Sequence, residues 1–214
     1  MSHSALISDS SSSFSLRLAE SLRSRGGEAF LTASAAHVHE SPAPGTILWN
    51  RLSLLSARTV SVSMKNRCES VDSVVFVYDG PETEDSCARV SLEESAAFLE
   101  EWNRGLFLLS AVMEEHLRAQ NRGKLVFVQR AGSSPSKAKA AAMLEAAFCR
   151  LAEETAEAFG ASAKGGLQTL LVRLEGENPA EDAEWLAERL VSAAPERGGA
   201  RWIKSGSRPL FGKF

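Results

Sequence analysis

The chain has 214 residues, 44% of them hydrophobic and 24% charged, with a formal net charge of −3. That length buries a sizeable core in a single domain over residues 1–214, and no block of Lys or Arg supplies the electrostatic footprint of a nucleic-acid binder. The opening residues form no signal peptide, no stretch nears the ~20 apolar residues of a membrane span, and Cys68, Cys87 and Cys149 are odd in number without ligand spacing, so a soluble, cytoplasmic chain with reduced thiols and no membrane partner is expected.

In chain order, Ala5–Ile7 reads as a first strand. Phe14, Leu18, Ala19 and Leu22 then recur at helical spacing up to Arg25. Gly26-Gly27 suits a left-handed cap, and Ala29–Thr32 a second strand. His37 to Gly45, with two prolines, reads as loop. His37 and His39 share a strand face but have no third ligand nearby, so no metal site is expected. Thr46–Asn50 predicts a third strand and Leu54–Cys68 a helix that its serines, Val60 and Val62 weaken. Val71–Tyr78 is an apolar, β-branched run, the pattern of a central buried strand, closed by Gly80-Pro81.

Ser91 and Glu94 stand at capping-box spacing before a long helix to about Arg118. Lys124–Gln129 predicts the fifth strand, Ser134 to about Phe159 an Ala-rich helix, and Gln168–Leu174 the sixth strand. Pro179 suits the first turn of a helix to about Ala194, and Trp202–Lys204 a short last strand before the tail Arg208–Phe214. Strands alternating with helices imply an α/β fold: a Rossmann-like, doubly wound parallel sheet of about seven strands with helices on both faces.

The opening strand–turn–helix, Ala5-Leu-Ile-Ser-Asp-Ser-Ser-Ser-Ser-Phe-Ser-Leu, resembles the start of a short-chain dehydrogenase/reductase. Leu18, Ala19, Glu20, Leu22 and Gly26 fall on matching positions. Glu101-Trp-Asn-Arg-Gly-Leu-Phe through Gly123-Lys-Leu-Val-Phe-Val is similar to that family's fourth helix and fifth strand, and Leu151-Ala-Glu-Glu to the end of its fifth helix, so the resemblance runs along the whole chain. It implies an NAD(P) site and a hydride-transfer centre, but the residues that would carry them differ. The three glycines of the family's cofactor turn become Asp9, Ser13 and Ser15. The Asn-Asn-Ala-Gly wall becomes Phe76, Val77, Tyr78 and Asp79, and the ribose reader falls near Ala33-Ser34. Gln129 and Arg130 stand where the catalytic Ser is expected. The Tyr-x-x-x-Lys pair falls on Lys137 and Ala141 in one register, and on Ser133 and Lys137 in another. Of the catalytic set only Asn103 keeps its place, with Lys137 as a possible base. That family's chemistry needs a phenol acid of lowered pKa, which no Ser hydroxyl replaces.

The resemblance therefore points to a degenerate member: a pseudo-enzyme with no cofactor, acting as an oligomeric structural or regulatory subunit. Two other readings remain open. One is a divergent NAD(P)-dependent oxidoreductase. The other is a small anion- or nucleotide-binding sensor that uses Asp9, Ser10, Ser11, Ser12 and Ser13. In the bland reading those residues simply cap the helix. The helices from Ser91 and Lys137 are apolar beyond one stripe, so each is expected to bury a second face against another chain. Trp102, Leu106, Phe107, Leu109, Met113, Met143, Ala147 and Phe148 are the expected interface of a homodimer or homotetramer, or of a hetero-oligomer with an active relative, since these are the helices the family pairs.

Overall fold

The computed structural model describes residues 2–36, 45–131, 138–162, 166–176, 178–192 and 201–205. Seven strands appear among them: β1 (Ser4–Ile7), β2 (Glu28–Ser34), β3 (Thr46–Trp49), β4 (Ser73–Asp79), β5 (Arg122–Arg130), β6 (Gly166–Leu174) and β7 (Trp202–Lys204). They form one sheet in the order β3-β2-β1-β4-β5-β6-β7, with every neighbouring pair parallel. Six helices also appear among the described residues: α1 (Ser13–Ser24), α2 (Leu54–Arg67), α3 (Gly80–Ala88), α4 (Leu92–Gln120), α5 (Lys139–Ser162) and α6 (Pro179–Val191). This is the doubly wound architecture expected from the alternation of patterns.

Burial follows the sequence pattern. All seven residues of β4 and the last six of β5 are buried, as a strand covered on both faces requires. On one face α1 packs against α6 over Ile7, Val75, Val126 and Val172. On the other, α2, α4 and α5 cover Leu6, Val74, Phe76 and Phe127. Local signals set several boundaries. Gly26 follows α1 at φ +78, the left-handed position that favours glycine, and its N–H donates to the Arg23 carbonyl. Ser91 and Glu94 form the capping box of α4, with bonds of 2.8 and 3.3 Å.

Tertiary contacts changed other expectations. Residues 80–88 close β4 not with a turn but with helix α3, because Pro81 fits a first turn, where its missing N–H costs nothing. The weakly patterned α2 forms because Ala57, Val60 and Met64 find the core and Ser53 caps the Ser56 amide. Residues 37–44, with His37 and His39, residues 132–137 and the tail from residue 206 lie outside the described residues.

The expected interface set divides. Trp102, Leu109, Met113 and Phe148 are buried in the chain's own core. The correction has a physical cause: α4 is flanked by α2 on one side and α5 on the other while resting on the sheet, so its broad apolar surface is used within the chain. Phe107 and Met143 remain 58% and 60% exposed, and Leu106 and Ala147 are half-buried.

Two histidines tie elements together through the imidazole. His116 Nδ1 lies 2.8 Å from Ser61 Oγ between α4 and α2, and His3 Nε2 lies 3.1 Å from Ser73 Oγ. Burial lowers both imidazoles from 6.5; Lys65 adds to this at His116, and at His3 Asp72 opposes it while Lys124 adds to it. The unfolded chain therefore binds more protons just below pH 6.5, so this stability is complete above that pH and is lost as pH falls toward the lowered folded values. Urea midpoints should drop between pH 7.5 and 5, and less steeply in His116→Gln. Equal slopes in the two proteins would remove His116 from the explanation.

Candidate functional site

In a doubly wound sheet, ligands bind outside the carboxyl ends of the strands where the winding reverses, here between β1 and β4. The β1–α1 turn, residues 8–12, lies at that point. Asp9 sits at φ 64, a left-handed conformation that suits a glycine and that a short polar side chain tolerates.

The amides of this turn all point at protein oxygens. Ser8 N donates to the Val75 carbonyl, Asp9 N to Thr32 Oγ1, Ser10 N to the Thr32 carbonyl and Ser12 N to the Asp9 carbonyl. Ser11 N donates to Asp9 Oδ1 at 3.1 Å, and Ser11 Oγ donates to the same oxygen. Ser13 N donates to Glu82 Oε1 at 2.9 Å, and Ser15 N to Ser12 Oγ, the N-cap of α1. Ser12 thus caps the helix, with Asp9, Thr32 and Glu82 as the other side-chain acceptors of the turn.

Two arginines balance the acids around the turn. Arg51 Nη2 lies 3.3 Å from Asp9 Oδ1. Burial pushes the Asp9 carboxyl up, but Arg51 and the Ser11 hydrogen bonds outweigh it and hold the group below the usual carboxylate range. Arg51 approaches α4 closely because residue 105 is glycine: a Cβ there would fall 2.8 Å from Arg51 Cβ. Arg130 Nη1 donates to both oxygens of Asp79, at 2.9 and 3.1 Å, and Ser12 Oγ donates to Asp79 Oδ2. The Arg130 and Asp79 side chains are 8% and 4% exposed. Between β1, β4 and α4 remains a cleft of about 30 Å³, lined by Asp9, Thr32, Trp49, Arg51 and Trp102 among others. That is room for about two water molecules.

The positions where the resemblance puts hydride-transfer chemistry hold other structure. Gln129 Nε2 donates to Glu145 Oε1, and Arg173 Nε donates to Gln129 Oε1 at 2.7 Å. Phe76 to Asp79, on which the cofactor wall falls, are the last four residues of β4. Tyr78 is buried among Trp102 and Phe148, with ring centroids 5.8 Å away in both cases, and its hydroxyl donates to the Ala141 carbonyl at 3.0 Å. Burial, with Glu145 and Glu84 nearby, pushes this phenol above the usual tyrosine range. At the ribose-reader position, Ser34 Oγ donates to Glu101 Oε1. Asn103 is half-buried, and its Oδ1 has no partner among the described residues. Lys137 lies outside them.

Asp9, Ser10, Ser11, Ser12 and Ser13 do converge on one turn. Glu82 and Arg51 were not named from sequence, and Asp79 and Arg130 were named only as departures from the family's cofactor wall and catalytic Ser. A signal for one pair exists: Asp79 and Arg130 are register partners ending adjacent strands, so aligning the two strand ends brings opposite charges together. Among the described residues no group of three His, Cys, Asp or Glu could hold a metal ion, and no helix is long and apolar enough to cross a membrane.

No family model matches the chain. An uncharacterized protein of Treponema pallidum (strain Nichols) is 32% identical over 222 residues, covering 100% of this chain and 97% of that one. The chain belongs to the same protein family as that Treponema protein. Solved structures show the wider likeness. A short-chain dehydrogenase from Leptospira borgpetersenii with bound NAD+ is 13% identical at a TM-score of 0.71, covering 95% of this chain and 91% of its own. A short-chain dehydrogenase from Streptomyces avermitilis is 16% identical at 0.67, covering 96% and 89%. A Brucella ovis oxidoreductase of the short-chain dehydrogenase/reductase family, with a partially ordered NAD, is 13% identical at 0.66, covering 95% and 99%. The fold is that of the short-chain dehydrogenase/reductases.

Proposed function

We propose that this protein is a non-redox relative of the short-chain dehydrogenases, a self-associating structural or regulatory subunit that uses the fold without its cofactor. One observation carries the reading. The single tyrosine of the chain, Tyr78, is sealed in the core with its hydroxyl spent on the Ala141 carbonyl, so no phenol reaches a substrate. Its raised pKa is the reverse of what an acid catalyst near neutral pH needs. The turn supports the same view. Its amides from Ser8 to Ser13 are taken by protein oxygens, Glu82 stands against the Ser13 N–H, and the adjoining cleft holds about 30 Å³. These residues do not fit a pyrophosphate as they stand, and no chemical step is assigned to a dinucleotide.

Calorimetric titration with NADH and NADPH should show no heat at high micromolar cofactor, and neither should be oxidised or formed with alcohol or carbonyl substrates. Micromolar binding would overturn the reading. It would favour instead a divergent NAD(P)-dependent oxidoreductase, the reading supported by the NAD held in the Leptospira and Brucella structures.

Self-association is assigned to the outer face of α4 and α5, where Phe107 and Met143 leave large apolar surfaces in water and Leu106 and Ala147 flank them. The partner is a second copy, as a dimer or tetramer, or an active relative presenting the same helices. Light scattering should give a mass above one chain, and Met143→Asp with Phe107→Asp should lower it to the monomer. A wild-type monomer would remove this part of the proposal.

A further inference from the structure

Helix α3 has no counterpart in the expected pattern, yet it reaches the most informative place in the fold. Its first turn carries Glu82, whose Oε1 accepts the Ser13 N–H at 2.9 Å across 69 positions of sequence. The N-terminus of a helix carries about half a positive charge and free amides, which is why dinucleotide folds place a phosphate there. Here a carboxylate of the same chain occupies the position. Asp79, the N-cap of α3, also reaches across: it makes no side-chain bond to its own helix, and its carboxylate instead accepts from Ser12 Oγ and Arg130. The β4–α3 junction thus sends two acids across, one to Ser12, the N-cap of α1, and one to Ser13, its first residue.

We infer that Glu82 is the built-in anion of the α1 N-terminus, and that α3 closes the turn by keeping this internal ligand in place against phosphate-bearing molecules. The inference rests on the proposed loss of the dinucleotide and supplies its mechanism. Charge decides which acid matters. Asp9 is matched by Arg51 and Asp79 by Arg130, so each pair is locally neutral. Glu82 has no cationic partner among the described residues. Its negative charge is balanced by the Ser13 amide and the helix end, and an entering phosphate would compete with it for both. With Glu82 neutral or absent, the surroundings are close to neutral, and the α1 end is free to attract an anion. Like-charge repulsion a few ångströms away then disappears, which at surface dielectric is worth roughly tenfold in affinity or more.

The test uses inorganic pyrophosphate and, separately, NADH, titrated into the wild-type protein, Glu82→Ala and Glu82→Gln, with the Ser13 amide followed by NMR. The glutamine keeps an acceptor oxygen for the Ser13 N–H and guards against a variant that fails to fold. Pyrophosphate should bind Glu82→Ala at least about tenfold more tightly than wild type, with the Ser13 resonance moving, and Glu82→Gln should gain less. NADH should stay weak throughout, because the other amides of the turn remain bonded to protein oxygens. Variants that bind pyrophosphate no better than wild type would overturn the role of Glu82 and leave the non-redox reading standing. NADH binding to the wild-type protein would overturn the non-redox reading itself, and with it the closed turn.

Discussion

Arg130→Ala is expected to destabilise the protein by roughly 3–5 kcal/mol, the usual cost of leaving one member of a buried ion pair without its partner. Both oxygens of Asp79 accept from the Arg130 guanidinium at the ends of β4 and β5, where neither side chain has much access to water. The guanidinium also lies 5.6 Å from the Phe14 ring centroid, so truncation removes packing as well as charge. It further opposes the burial that pushes the Asp182 carboxyl up, so a second acid loses support. Denaturant midpoints measure the effect. The double variant Asp79→Asn/Arg130→Met should recover most of the loss, since it removes both charges and refills the space. A loss below about 1 kcal/mol for Arg130→Ala would mean that the pair is hydrated in solution.

Phe148→Ala is expected to cost roughly 3–5 kcal/mol for a different reason, the cavity left in a close-packed core. Phe148 joins the two covering helices to the sheet: its ring lies 5.8 Å from Tyr78, 5.9 Å from Phe127 and 6.1 Å from Trp102. The loss should be independent of protein concentration, because the contacts are all within one chain. Met143, one turn and a residue earlier on the same helix, should behave in the opposite way. Met143→Asp should alter intrachain stability little and change the oligomeric mass, its side chain being largely in water. A concentration-dependent loss at Phe148 would place it at an interface after all.

These two residues show where reading the chain stops. The apolar pattern of α5 marked Met143, Ala147 and Phe148 alike, but helical periodicity reports which positions are apolar, not what meets them. Sorting them took the neighbours: the sheet and α4 cover Phe148, and nothing described covers Met143. The same limit hid Glu82. A Gly-Pro-Glu sequence after a strand reads as a turn, and only the fold brings that carboxylate to an amide 69 residues away.

The amino-acid sequence by itself determined the strand order along the chain, every described helix but α3, the parallel sheet and several helix ends, because these depend on local physics: β-branched runs buried on both faces, a capping box at Ser91, a left-handed glycine after α1. It also placed Asp9 and Ser10 to Ser13 on one turn, since they are adjacent in the chain. The tertiary structure decided what that turn faces, which acids and arginines surround it, and that Tyr78 lies in the core. Those features depend on residues 51 to 69 positions apart brought within hydrogen-bonding distance. No local propensity encodes such a meeting; it follows from strand register and from the packing of helices over the sheet.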